Sequence, residues 1–353
     1  MVEDQGSVRH VDGNRGIHRR LHAIVLLACM MSSVHAQSAS PPNTPTNAAP
    51  TLAPVVVTGE LPGPALWKVS KGDHVMWILG LVTPVPRDMR WKSAMVEQRI
   101  AASQDVLKPP GLEVGTHKDA SATRELISTA ASLKWNPEGE TLQQVLAPTM
   151  YLRWRTQKER YMSADARVNY MRPIFAGREL YETALRHAGL VDELRIDKAV
   201  YDMARHHDVT IIDPAYPFTL NDPQAALAML KQNDMDDQRC LGLVLDAIEH
   251  DLVQTTLRAN AWATSDLDGL KNVLMQKQED ACFSAIDTSP FAKAIGLTRI
   301  QQHIDQSWIE HAEQMLARNT QTFALLPMDE LFKPDGYLSR LQADGYTVQS
   351  PDP

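Results

Sequence analysis

The segment Ala65-Leu66-Trp67-Lys68-Val69-Ser70, followed by Lys71-Gly72-Asp73 and then His74-Val75-Met76-Trp77-Ile78-Leu79-Gly80, places two β-rich runs around a Gly-Asp turn. Such a pattern predicts an antiparallel hairpin. An amphipathic helix follows over 91–102, with Met95, Ile100 and Ala101 on or near its apolar face, and the short apolar run Asp105-Val106-Leu107 reads as the next strand. Strand, helix and strand in this order predict an α/β opening.

Outward from that unit, the middle of the chain carries helical periodicity with charged outer faces over 120–133, 142–161, 174–188 and 192–205. Val209-Thr210-Ile211-Ile212 reads as a buried strand closed by Asp213-Pro214. Further helices are predicted over 223–231, 236–257, 267–276 and 299–317. The chain closes with Thr322-Phe323-Ala324-Leu325-Leu326 as a strand, a helix over 335–343, and Tyr346-Thr347-Val348 as a last strand after Gly345. The expected architecture is a helix-dominated α/β fold. The N- and C-terminal strands together build a central mixed sheet, and the helical middle forms a cap.

Of 353 residues, 44% are hydrophobic and 22% charged, an ordinary globular composition, and the formal charge is −8. No Lys/Arg stripe interleaves with aromatics, so nucleic acid is not an expected partner. Arg19 and Arg20 precede the apolar run from Leu21 to Met31, and Val34-His35-Ala36 supplies small residues at the positions a signal peptidase reads. This pattern predicts a signal peptide over 1–36, cleaved after Ala36, and an exported, periplasmic protein with no transmembrane segment after its removal. In a competing reading, Leu26-Leu27-Ala28-Cys29 is a lipoprotein processing site. Residues 37–60, rich in Pro, Ala, Ser, Asn and Thr, read as a disordered linker. Once Cys29 leaves with the leader, Cys240 and Cys282 remain. In an oxidising compartment the pair reads as a disulfide closing a loop of about forty residues, worth roughly 2 to 4 kcal/mol; two free buried thiols are the alternative.

The order of parts resembles the TraB/GumN group of bacterial proteins, related to the Tiki-type secreted peptidases. The anchors are Leu66-Trp67, Trp77-Ile78-Leu79-Gly80, Arg258-Ala259-Asn260-Ala261-Trp262-Ala263, and Asp335-Gly336-Tyr337-Leu338 through Gly345-Tyr346-Thr347-Val348. The resemblance implies one domain over 61–350. It also implies metal-dependent peptide hydrolysis, with two histidines and a glutamate gathered at strand ends to hold a cation and activate water.

At all three places this sequence departs from the pattern. Thr83 stands three residues after Gly80, where the first histidine belongs. Lys108 stands where the glutamate belongs, and the closing Gly-x-x-His position reads Pro327-Met328-Asp329-Glu330. A lysine repels a divalent ion, so no metal or other cofactor is expected. The simplest replacement is an ion pair between Lys108 and Glu330, provided their strand ends are neighbours. The alternative is a rebuilt site in which Asp329 and Glu330, with Thr83 and either Asp73 or His74, hold a hard cation such as Mg²⁺ or Ca²⁺.

Other candidates have plain explanations. His206 and His207 suit a helix C-terminus, and His303 and His311 lack the HExxH spacing. Neither a GxSxG elbow nor a phosphate-binding Gly-rich loop occurs. Trp67, Trp77, Trp262 and Trp308 read as core or pocket walls. Two functions are carried forward. In the first, the protein is a pseudo-enzyme whose old cleft, marked by Gly80, Thr83, Lys108, Pro327 and Glu330, binds a peptide or envelope component. In the second, it is a hydrolase with Glu330 or Asp329 as general base and Lys108 as electrostatic stabiliser.

Overall fold

The computed structural model describes residues 63–116, 133–191, 195–220, 222, 224–225, 228, 237–274, 293, 296 and 299–351. The expected leader and linker, the helix over 120–133, most of that over 223–231, and the cysteines Cys29 and Cys282 lie outside the described residues.

Strands β1 (Leu66–Lys71) and β2 (His74–Leu81) form the predicted hairpin, with Lys71 opposite His74. Gly72, at the first turn position, has φ +64, a conformation glycine adopts without a Cβ penalty. After the short strand β3 (Val85–Pro86), helix α1 (Ala94–Ala101) leads to β4 (Asp105–Leu107). Met95 on α1 is 60% exposed and Ala101 is exposed as well, contrary to expectation; the buried stripe is Val96 and Ile100, four residues apart and hence on one helical face. Strand β5 (Leu112–Thr116) follows.

The predicted helix over 142–161 is two helices, α2 (Leu142–Val145) and α3 (Pro148–Tyr161). Pro148 supplies the reason: it occupies the first turn of α3 and holds the preceding Ala147 extended. Helix α4 (Pro173–His187), strand β6 (Leu190–Val191), helix α5 (Arg195–His206), strand β7 (Thr210–Ile212) and strand β8 (Tyr216–Leu220) come next. Helix α6 (Asp237–Asp246) runs through a π-helical turn, Ala247–Asp251, into α7 (Leu252–Ala263), which outlasts the predicted end at 257. Then come α8 (Leu267–Leu274), α9 (Ile300–Arg318), β9 (Gln321–Pro327), α10 (Met328–Phe332), α11 (Tyr337–Ala343) and β10 (Thr347–Gln349).

The central sheet has six strands in the order β10-β1-β2-β9-β4-β7. β1 is antiparallel to both its neighbours, while β2, β9, β4 and β7 are parallel, so the sheet is mixed, as expected. β9 comes from the far end of the chain and inserts between β2 and β4. Its residues Thr322–Leu326 are all buried, the continuous apolar run typical of a parallel strand covered on both faces. Two small sheets, β3 with β6 and β5 with β8, were not predicted.

Two apolar clusters organise the packing. One spans the sheet with Trp67, Ile78, Val106, Trp308 and Phe323; the other lies in the helical middle around Leu142, Trp154, Leu180 and Leu245. In the middle, Arg172 and Asp237 form an ion pair at 2.8 Å with side chains only 11% and 7% exposed. Among the described residues no helix is long and apolar enough to cross a membrane.

Gly80 fixes how α10 meets the sheet. A Cβ there would lie 2.5 Å from Met328 Cε and 2.8 Å from Leu331 Cδ1, both side chains being buried. Gly80→Ala is expected to lower stability by about 1–3 kcal/mol through overpacking. In urea unfolding, Met328→Ala in the same chain should recover part of that loss, and strict additivity of the two substitutions would contradict the packing account.

Candidate functional site

The four parallel strands run in one direction, so their C-terminal ends lie along one edge of the sheet. In open α/β sheets, ligand sites form beyond this edge. The residues that follow these strands are Val82 and Thr83 after β2, Met328 to Glu330 after β9, Lys108 after β4 and Asp213 after β7. Thr83, Lys108, Asp329 and Glu330 therefore share an edge, in the order Thr83, Glu330, Lys108.

The Thr83 end is pinned by α7. The Trp262 indole N–H donates to the Gly80 carbonyl at 2.6 Å, and the buried Arg258 guanidinium donates to the Thr83 carbonyl at 3.0 Å. The peptide bond from Thr83 to Pro84 is cis. Pro327 closes β9 and immediately precedes α10, whose first turn carries Asp329 and Glu330.

The expected Lys108–Glu330 pair is not formed. Lys108 Nζ instead donates to Asp213 Oδ2 at 2.7 Å, and Glu330 Oε1 accepts from Lys333 Nζ at 2.6 Å. The sheet order explains this: Lys108 follows β4, which lies between β9 and β7, and the carboxylate on the β7 side is its partner. The Trp308 indole N–H holds the Lys108 carbonyl at 3.0 Å, and the Lys108 ammonium lies 5.8 Å from the Tyr201 ring centroid.

Electrostatics along the edge follow from burial. For Asp213, burial pushes the carboxyl up, but the Lys108 hydrogen bond, a backbone N–H from Ala215 and the Lys108 charge outweigh it and hold the group below the usual carboxylate range. Burial pushes Glu330 up against the pull of Lys333, with Asp329 and Asp305 adding to the rise. The Tyr201 phenol is raised by burial and by the Asp197 and Asp213 carboxylates. Asp197, in the first turn of α5, is raised by burial even though it accepts from the Lys198 N–H at 2.6 Å. The Tyr337 hydroxyl, buried beneath α9, donates to Asp305 Oδ1 at 2.6 Å.

Asp73 and His74 do not join this set. They lie at the opposite end of β2, about 23 Å from its C-terminus at 3.3 Å per residue. Among the described residues no three His, Cys, Asp or Glu side chains converge to hold a metal ion. His206 and His207 are exposed at the end of α5, and His303 stacks on Tyr216. Asp213, Tyr201, Asp197, Arg258 and Asp305 were not singled out as site residues from sequence. For Asp213 a signal existed: like Lys108, it directly follows an apolar strand.

A model of the TraB/PrgY/gumN family matches residues 65–350, from the start of the hairpin to just beyond β10. The chain belongs to the TraB/PrgY/gumN family. Neither a curated protein nor a solved structure matches it. The match spans both halves of the TraB/PrgY/gumN sheet in this chain, the hairpin and the closing β9–β10 unit, together with the cap between them. A metal suited to the hydrolytic chemistry that the sequence resemblance implies does not fit the residues present. An ammonium follows β4, Thr83 offers no charged donor, and Glu330 is engaged by Lys333.

Two pH effects are expected. Asp213 is held low, so its pair with Lys108 contributes above the ordinary carboxylate range and is lost as pH falls through the lowered value. Lys108→Met should therefore cost about 0.2–1 kcal/mol at neutral pH, since both partners are partly exposed, and almost nothing in strong acid. Glu330 behaves oppositely, because its raised group disfavours the folded state once ionised. Glu330→Gln should be neutral to stabilising at pH 7 to 8, with the difference from wild type shrinking as pH falls below the ordinary glutamate range. Denaturant midpoints measured across pH test both signs.

Proposed function

We propose that this TraB/PrgY/gumN protein is exported to the periplasm after cleavage behind Ala36 and works there as a pseudo-enzyme. Its cleft beyond the ends of β2, β9, β4 and β7 binds a peptide or another cell-envelope component without catalysis and without a cofactor. Gly80, Thr83, Lys108, Pro327 and Glu330 mark that cleft. The observation that carries the reading is the Lys108–Asp213 ion pair at 2.7 Å. It sets a cation with its own carboxylate partner at the position where the resemblance expects a metal-binding glutamate, so that position offers no free carboxylate to a divalent ion.

Elemental mass spectrometry of the mature protein, before and after dialysis against mixed metals, tests this directly. No retained metal is expected. Stoichiometric metal that disappears in Asp329→Ala and Glu330→Ala would overturn the reading.

One observation favours a second reading, the hydrolase. Burial raises the Glu330 carboxyl toward the range in which a carboxylate works as a general acid or base. With Glu330 or Asp329 as base and Lys108 stabilising developing negative charge, peptide hydrolysis would survive chelators and fail in Lys108→Ala.

Export carries a separate proposal, a disulfide between Cys240, buried on α6, and Cys282. Thiol labelling of the denatured, unreduced mature protein should find no free cysteine; two labelled thiols would refute the bridge. Lipidation at Cys29 is the competing form of export, and intact mass of the mature chain separates it from cleavage at Ala36.

A further inference from the structure

A second polar site lies away from the strand ends, on the face of the sheet that α1 crosses. Trp77, in the middle of β2, stands opposite Lys68 on β1, and Lys68 in turn stands opposite Gln349 on β10. The Arg99 guanidinium of α1 lies 4.1 Å from the Trp77 ring centroid, and Lys68 Nζ lies 5.8 Å from it. An indole thus holds two cations. Its π-face attracts them but does not neutralise them.

Neither cation pairs with a carboxylate among the described residues. In addition, Trp77 Nε1 and Arg99 Nε are both buried donors with no acceptor. Buried polar atoms in folded proteins are nearly always satisfied, so this pair of donors calls for an acceptor. The two adjacent charges favour an anion over a neutral acceptor. A carboxylate would balance one charge. A phosphoryl group carries up to two, and its several oxygens suit a guanidinium together with an ammonium.

We propose that Lys68, Trp77 and Arg99 form a binding site for a phosphoryl oxyanion seated against the N–H edge of the Trp77 indole. Lys68, Trp77 and Arg99 are all half-buried, and the flexible four-carbon stem of Lys68 leaves its ammonium able to reorient toward a ligand. The site does not depend on the cleft at the strand ends or on what that cleft binds.

The test follows the Trp77 indole N–H by NMR, assigned with Trp77→Phe, during titration with inorganic phosphate at constant ionic strength. A saturable shift is expected, weakened at least tenfold in the Lys68→Gln, Arg99→Gln double variant, whose thermal melt checks folding. In a parallel arm the protein is sedimented with phosphatidylglycerol vesicles and, as a low-charge control, phosphatidylcholine vesicles. Binding to phosphatidylglycerol that is lost in the double variant assigns the phosphoryl group to a lipid headgroup; a response to inorganic phosphate alone assigns it to a soluble ligand. No saturable shift beyond that produced by sodium chloride, with no selective vesicle binding, would overturn the proposal and leave water as the acceptor. Binding that persists undiminished in the double variant would overturn it as well.

Discussion

The fold depends on one strand pairing: β9, made of residues 321–327, lies between β2 and β4, which occur more than two hundred residues earlier. Its seven-residue register with β2 aligns the hairpin with the parallel half of the sheet. Without it, the β1–β2–β10 ribbon and the β4–β7 pair would be separate and marginal. The Gly80 position carries this pairing into the site. Because it has no side chain, Met328 and Leu331 pack directly on β2, and the Trp262 indole reaches the Gly80 carbonyl. The TraB/PrgY/gumN hairpin is thereby tied at one point to both the closing unit and the helical cap.

That alignment sets the electrostatics of the strand ends. Four parallel strands deliver four chain segments to one edge, and side chains far apart in sequence become neighbours there. Lys108 and Asp213 neutralise each other on one side, Glu330 and Lys333 on the other, while Tyr201 and Asp197 are desolvated beside the first pair. The result is an edge whose two ammonium groups are paired and beside which Asp197, Asp305 and Asp329 place further carboxylates, with Asp213 held low and Glu330, Asp197 and Tyr201 raised.

Much of the fold was legible in sequence because its signals are local. The Gly-Asp turn between β-rich runs marks the hairpin, and the unbroken apolar run from Phe323 to Leu326 marks a strand. Sheet order was not legible. Lys108 could have met a carboxylate on either side, and only the placement of β4 between β9 and β7 makes Asp213 the partner rather than Glu330. The β5–β8 pair escaped for the same reason: it joins segments about a hundred residues apart, each just beyond prolines, with no shared local pattern. Met95 failed differently. It is apolar, as is the exposed Ala101, but the face that packs is set by Val96 and Ile100, and scattered exposed apolar side chains are ordinary on a protein surface.

The placement of β9 also bears on synthesis. A ribosome has made more than nine-tenths of this chain before the central strand exists. Until then β2 and β4 present unpaired backbone and apolar faces to whatever surrounds the nascent chain. The sheet is dominated by contacts between distant segments, so its completion awaits release of the C-terminal region. A chain that ended after β7 and before residue 321 would lack the strand that joins β2 to β4, leaving an unpaired edge on each of the two halves of the sheet.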